Sequence, residues 1–331
     1  MTQGTITGDK KTNYFQAGPG VWGMKDIFVN IYMVSNPETN SWVLIDAGLK
    51  TSASKIKRMA AELFGKDSKP SCIILTHAHF DHVGSLKKLA EEWNVPVYAH
   101  YLEMPYLTGK SSYPPPDPTV GGGIMPLMSV VFPTSPVNLS NRVSVLASDG
   151  TLPGLSGWRF LHTPGHAPGH ISLYREEDRL LIAGDAFITT NQQSAISIMF
   201  QIKKLYGPPK YFTYDWELAK QSVENLMNLE PEIVATGHGK PMQGPAMRTA
   251  LHDLYNNFYE KAVPANGRYA NDPAVADATG FVYIPPAVSN KRSIVLALLG
   301  ITAIAATTYV LLSKKKKHRH YLLNESLLSL D

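Results

Sequence analysis

Residues 77 to 82 read His-Ala-His-Phe-Asp-His, so four side chains able to bind a metal fall within six positions, directly after the apolar run Cys72, Ile73, Ile74 and Leu75. Neutral imidazole and carboxylate suit zinc and similar divalent ions. A strand ending in such a segment delivers half of a two-metal site in one turn of loop. Three further candidates follow apolar runs and glycine turns. His166 sits in residues 162–170, His-Thr-Pro-Gly-His-Ala-Pro-Gly-His; Asp185 follows Leu180, Leu181, Ile182, Ala183 and Gly184; His238 follows Ala235, Thr236 and Gly237. Glycine lets the backbone turn tightly at such strand ends. The chemistry in view is metal-assisted attack of water on a carbonyl or phosphoryl centre, which needs no Ser or Cys nucleophile.

These ordered motifs resemble the metallo-β-lactamase superfamily over roughly residues 15–260, and within it the glyoxalase II and lactonase-like hydrolases with a binuclear site. The resemblance implies that His77, His79 and His166 hold one metal, that Asp81, His82 and His238 hold a second, and that Asp185 bridges them. Two divalent ions are the implied cofactors, zinc from the ligand set, with iron or manganese as alternatives. Asp46 matches the aspartate that closes an earlier strand in the family, implied to accept a hydrogen bond from a ligand imidazole. Asp81 is the candidate catalytic carboxylate, able to relay a proton to the leaving group. His162 and His170 flank His166 and are read as packing or supporting groups. Asp185 stands where one antibiotic-degrading branch carries a Cys ligand, which disfavours that branch. Cys72, the single cysteine, is expected to be a buried thiol.

The implied activity is hydrolysis of an ester, lactone or thioester by a hydroxide bridging the two metals, on a small-molecule substrate that can carry an acyl chain. A phosphodiesterase and a mononuclear iron persulfide dioxygenase are the enzymatic alternatives, and a membrane-tethered binding module without catalysis is a third. Lactonases of this kind place a Tyr shortly after the bridging Asp, whereas Asp185 is followed by Ala186, Phe187, Ile188, Thr189 and Thr190.

Charge and hydropathy divide the chain. The formal net charge is +4, yet five of the basic residues lie between Lys314 and Arg319, and the remainder is close to neutral. A nucleic-acid surface has little compositional support. Residues 293–312 form a run of 20 without a charge, followed by Lys314 to Lys317, long enough to cross a bilayer as a helix. The expected layout is a hydrolase domain over residues 1–262, a linker over 263–292, a transmembrane helix over 293–312 and a basic tail over 313–331. The expected location is a membrane, held by that single C-terminal span, with the catalytic domain on the cytoplasmic side.

The elements that must position the ligands are legible in outline. Residues 28–34 and 42–45 read as strands joined by a hairpin, 54–64 as an amphipathic helix, 84–93 as a helix, 95–99 as a strand and 216–229 as a helix. The order suggests two similar αβ halves. Together with the resemblance, which implies the family's fold, the expected fold class is α/β, a four-layer αββα metallo-β-lactamase sandwich plus one C-terminal transmembrane helix. Residues 100–136, rich in Tyr, Pro and Gly, read as an insertion able to wall a substrate pocket, with 187–214 as a second wall.

Overall fold

Successive side chains of residues 31 to 34 fall alternately into two separate hydrophobic clusters, and this alternation sets the layers. Ile31 and Met33 join one cluster while Tyr32 and Val34 join another; Trp42 and Leu44 part from Val43 and Ile45 in the same way. A strand sends its side chains to opposite faces in turn. A sheet apolar on both faces must be covered on both.

The computed structural model describes residues 14–192, 194, 197 and 202–287. One seven-stranded sheet runs in the order β1 (Tyr14–Gly18), β2 (Val21–Asp26), β3 (Val29–Asn36), β4 (Ser41–Ile45), β5 (Ile73–Ile74), β6 (Val97–Ala99) and β7 (Val143–Val145). Its first four strands are antiparallel and the pairs from β4 onward are parallel. The second sheet contains β8 (Trp158–His162), β9 (Ile171–Arg175), β10 (Leu180–Ile182), β11 (Ile233–Ala235) and β12 (Met242–Gln243), with β10 and β11 parallel.

The two sheets pack face to face through Tyr32, Val34, Ile45 and Ile74 on one side and Trp158, Leu173, Leu180 and Ile182 on the other. Helices cover the outer faces. Ala53–Phe64 buries Ile56, Met59 and Ala60, one helical stripe, against the first sheet, beside helix Leu86–Trp93. Trp216–Met227 and Gly244–Asn256 cover the second sheet with Val223, Leu226, Leu251 and Leu254. Asp215 caps the first of these, accepting from the Leu218 N–H at 2.9 Å. The architecture is thus an αββα sandwich with mixed sheets.

One expectation about the C-terminal part is corrected. No helix among the described residues is long and apolar enough to cross a membrane, and the expected span over 293–312 lies outside the described residues. The transmembrane helix, the membrane as a partner and the membrane location are withdrawn accordingly. Residues 263–287, the described part of the stretch after the helix Phe258–Lys261, carry side chains that pack onto the domain. Tyr269 and Ala274 are buried in the cluster of the first sheet, and the Tyr269 hydroxyl donates to the Pro115 carbonyl at 2.7 Å. A strand pair follows, β13 (Val275–Asp277) and β14 (Gly280–Tyr283), and lays Phe281 against Tyr214 with ring centres 5.1 Å apart.

Candidate metal centre

All the ligating candidates arrive at one edge of the sandwich, each from a strand end. His77 and His79 follow β5, and Asp81 and His82 lie in the short helix Phe80–Val83. His166 comes from the loop between β8 and β9, Asp185 follows β10, and His238 follows β11. Each of the seven side chains is buried. Glycines make the approach possible. Gly165 turns at φ 121°, with Ala219 against the position a Cβ would take, and a Cβ on Gly237 would collide with Asp185 Oδ1.

The side chains converge in three overlapping groups, His77 with His79 and His166, His77 with His82 and Asp185, and Asp81 with His82 and His238, the ligand atoms of each lying within 4.8 Å of one another. Asp185 Oδ2 is the shared point. It stands 2.9 Å from His238 Nε2, 3.5 Å from His166 Nε2 and 3.7 Å from His82 Nε2. Asp81 Oδ2 faces His238 Nε2 at 3.6 Å and His82 Nε2 at 3.9 Å.

Four of the five imidazoles turn Nε2 inward and the fifth, His79, turns Nδ1, which is 2.9 Å from His166 Nε2. The outward nitrogens are held by the protein. His77 Nδ1 meets Thr76 Oγ1 at 3.0 Å, His82 Nδ1 meets Asp46 Oδ2 at 2.8 Å, and His238 Nδ1 meets the Phe28 carbonyl at 2.8 Å. His166 Nδ1 lies 3.4 Å from Thr213 Oγ1, and His79 Nε2 lies 3.5 Å from the Tyr214 hydroxyl. Partners of this kind fix which ring nitrogen is free to bind a cation.

The donor set fits a divalent ion. His77 Nε2, His82 Nε2 and Asp185 Oδ1 are buried and have no hydrogen-bond partner. A buried polar atom left unpaired is costly, and these three point into one cluster where a cation would satisfy them. Burial, reinforced by neighbouring imidazoles, pushes His77 and His79 well below the ordinary histidine value, and burial takes His166 down to about 3. They are therefore neutral, as ligands must be. Burial would raise Asp185, but His238 and His82 outweigh it and hold its carboxyl well below the usual range. Burial opposes charge on His82 too, yet Asp46 and Asp185 carry it well above its ordinary value, so protons and a cation compete there.

Sequence reading placed the cluster residues but missed much of what holds them. Asn30 Nδ2 donates to the carbonyls of Thr236 at 2.9 Å and Gly239 at 2.6 Å, bracketing His238 from more than 200 residues away in sequence. No local pattern marks an asparagine in β3 as the support of a loop after β11. His170 is a supporting group, its Nε2 accepting from the Asp185 N–H at 2.9 Å, whereas His162 lies outside the cluster, bonded to the Pro168 carbonyl and stacked on His100. The two irregular stretches do stand against the ligands. Tyr113 packs on His79 with ring centres 4.4 Å apart, and Phe212 stacks on the same ring at 4.6 Å.

A metal-ligand cluster at the shared edge of an αββα sandwich defines a metal-dependent hydrolase, and the chain belongs to the metallo-beta-lactamase superfamily, whose family model matches residues 24–238. The chain carries one or two divalent metal sites, with a ligand set consistent with zinc, iron or manganese. It is similar to the probable metallo-hydrolase YflN of Bacillus subtilis, at 45% identity over 245 residues, 74% of this chain and 93% of that protein. It is also similar to the hydroxyacylglutathione hydrolase GloC of Haemophilus influenzae, at 26% identity over 158 residues, 47% of this chain and 65% of that one. Among solved structures, a B3 metallo-beta-lactamase with an active-site glutamic acid shares the fold, with a TM-score of 0.52 at 16% identity over 75% of this chain and 90% of that one.

Proposed function

We propose that the chain hydrolyses an ester, lactone or thioester at two divalent cations, zinc in the first instance. In this reading His77, His79 and His166 hold one ion, Asp81, His82 and His238 hold the other, and Asp185 is shared. The observation that carries it is the position of Asp185 Oδ2, within 3.7 Å of ring nitrogens from both triads. The similarity to an enzyme named for hydroxyacylglutathione, which is a thioester, brings that bond type into range.

Bound divalent ions supply acidity to a coordinated water and polarise a carbonyl oxygen. The chain's own contribution is orientation and proton handling. Thr76, Asp46, Thr213 and the Phe28 carbonyl set the ring planes of the histidines, so the inward nitrogens are organised before substrate arrives. Asp81 is the carboxylate placed to hold the proton shed by the attacking water and return it to the leaving group. Tyr113 and Phe212 both pack against the buried His79 ring.

The test is metal content and turnover of one preparation, assayed on an acyl lactone, a thioester and a phosphodiester. Two ions per chain with turnover of the lactone or thioester is the expected result. One iron per chain without hydrolysis overturns the proposal, and turnover of the phosphodiester alone overturns its substrate class.

A further inference from the structure

The 100–136 stretch begins with a carboxylate that is fully buried. Glu103 ends the single turn Tyr101–Glu103 after β6, and none of its surface is exposed. Its Oε2 accepts from the backbone N–H of Ala78 at 2.9 Å, and its Oε1 accepts from the backbone N–H of Gly169 at 2.7 Å. The Tyr113 hydroxyl donates to Oε2 as well. The two backbone partners can only donate, so a carboxyl oxygen on each side satisfies them, whereas an amide would set a hydrogen of its own against one of them.

The two backbone partners are what give this arrangement meaning. Ala78 is the residue between His77 and His79, and Gly169 lies three residues beyond His166 in the same loop. The first loop hangs from the seven-stranded sheet and the second from the five-stranded sheet. One side chain therefore ties together the two loops whose histidines form one ligand triad, across the seam between the sheets. Gly169 shows how closely the parts are fitted, since a Cβ there would stand 2.8 Å from Glu103 Cγ and 2.9 Å from Glu103 N. Ion-assisted hydrogen bonds are roughly twice as strong as neutral ones, and in a buried setting they fix geometry.

We infer that Glu103 is a positioning residue for the His77, His79 and His166 triad, acting through the peptide of Ala78 and the loop of Gly169. It touches no ligand atom. This inference rests on the reading of those three histidines as metal ligands, and predicts that loss of the carboxylate weakens one metal position and spares the other, formed by Asp81, His82 and His238.

The test uses the full chain with Zn²⁺ in chelator competition and with Co²⁺, whose visible absorption reports ligand geometry. Glu103→Gln keeps the volume and sets an amide N–H against one of the two backbone N–H groups, that of Ala78 or that of Gly169. Gly169→Ala pushes the Glu103 side chain away from the second loop without removing its charge. Each variant is expected to lose about 10- to 100-fold in affinity at one of two zinc equivalents, the range for groups that orient ligands, with an altered Co²⁺ spectrum for that equivalent and the other unchanged. The double variant should lose no more than the stronger single one, because both act on one link. A purely structural role would lower the melting temperature and leave both affinities and the spectrum as in the wild type, and that result overturns the inference. If Glu103→Gln does not fold, Gly169→Ala carries the test alone. A wild-type chain that binds no zinc overturns the proposed function and this inference with it, whereas wild-type binding with unchanged variants overturns this inference only.

Discussion

Asp46 Oδ2 stands 2.8 Å from Nδ1 of His82, and the same oxygen accepts from the Thr76 hydroxyl at 2.8 Å, whose oxygen meets His77 Nδ1 at 3.0 Å. A single carboxylate thus sets one imidazole directly and a second through a threonine. Asp46 holds this place with a backbone φ of 63°, a left-handed conformation that ordinary residues rarely adopt and that recurs at functional sites.

Replacing Asp46 with Asn should free His82 to adopt the wrong tautomer while leaving an oxygen for the Thr76 N–H. Metal affinity at the position built by Asp81, His82 and His238 is expected to fall by ~10- to 100-fold, read by competition with a chromophoric chelator. Wild-type affinity in that variant would show that Asp46 does not set the His82 ring.

Asp185→Ala removes the carboxylate that faces both triads. Both metal positions should weaken together and turnover should drop by at least ~100-fold. A variant that lost only one ion, with the other bound at wild-type strength, would contradict the shared role.

Asn30 contributes to stability through the His238 loop. Asn30→Ala leaves the carbonyls of Thr236 and Gly239 without that donor, and the expected cost is about 2 kcal/mol for two buried hydrogen bonds. Denaturant melts of the two proteins measure it. A change under a few tenths of a kcal/mol would mean that water or a neighbour takes over the contacts.

Acid should destabilise the fold through a pair outside the metal cluster. His100 and His162 stack with ring centres 4.1 Å apart. Burial, followed by the neighbouring His162, lowers His100 to about 4, and burial lowers His162 as well. A histidine depressed in the folded state is neutral there while its unfolded counterpart gains a proton. Its contribution is therefore complete above the unfolded value of 6.5 and is lost as pH falls through the window from 6.5 to about 4. His100→Phe keeps the stack without the titration, so its melting temperature should drop less than that of the wild type between pH 7 and pH 5. Equal drops would remove the pair from the account.

The candidate ligands were legible because histidine and aspartate clustered after apolar runs serve few purposes besides holding a metal, and strand alternation such as that of Ile31 to Val34 follows from sequence period alone. The supports were not legible. Asn30 and Glu103 reach partners set by the docking of two sheets, and no short window of sequence contains both ends of such contacts. Residues 263–287 are a related case. A stretch rich in Pro, Ala and Asn has the composition of a linker, but Tyr269 and Phe281 within it are apolar anchors, and burial of those rings decides where the chain lies.

Neither sheet carries a complete triad. The seven-stranded sheet supplies His77, His79, Asp81 and His82, and the five-stranded sheet supplies His166, Asp185 and His238. A cation bound by either triad is therefore a clasp across the seam, and the free energy of holding it is added to that of keeping the two sheets together. Chelation should act on this protein as a mild denaturant, loosening the halves from each other before it unravels either one.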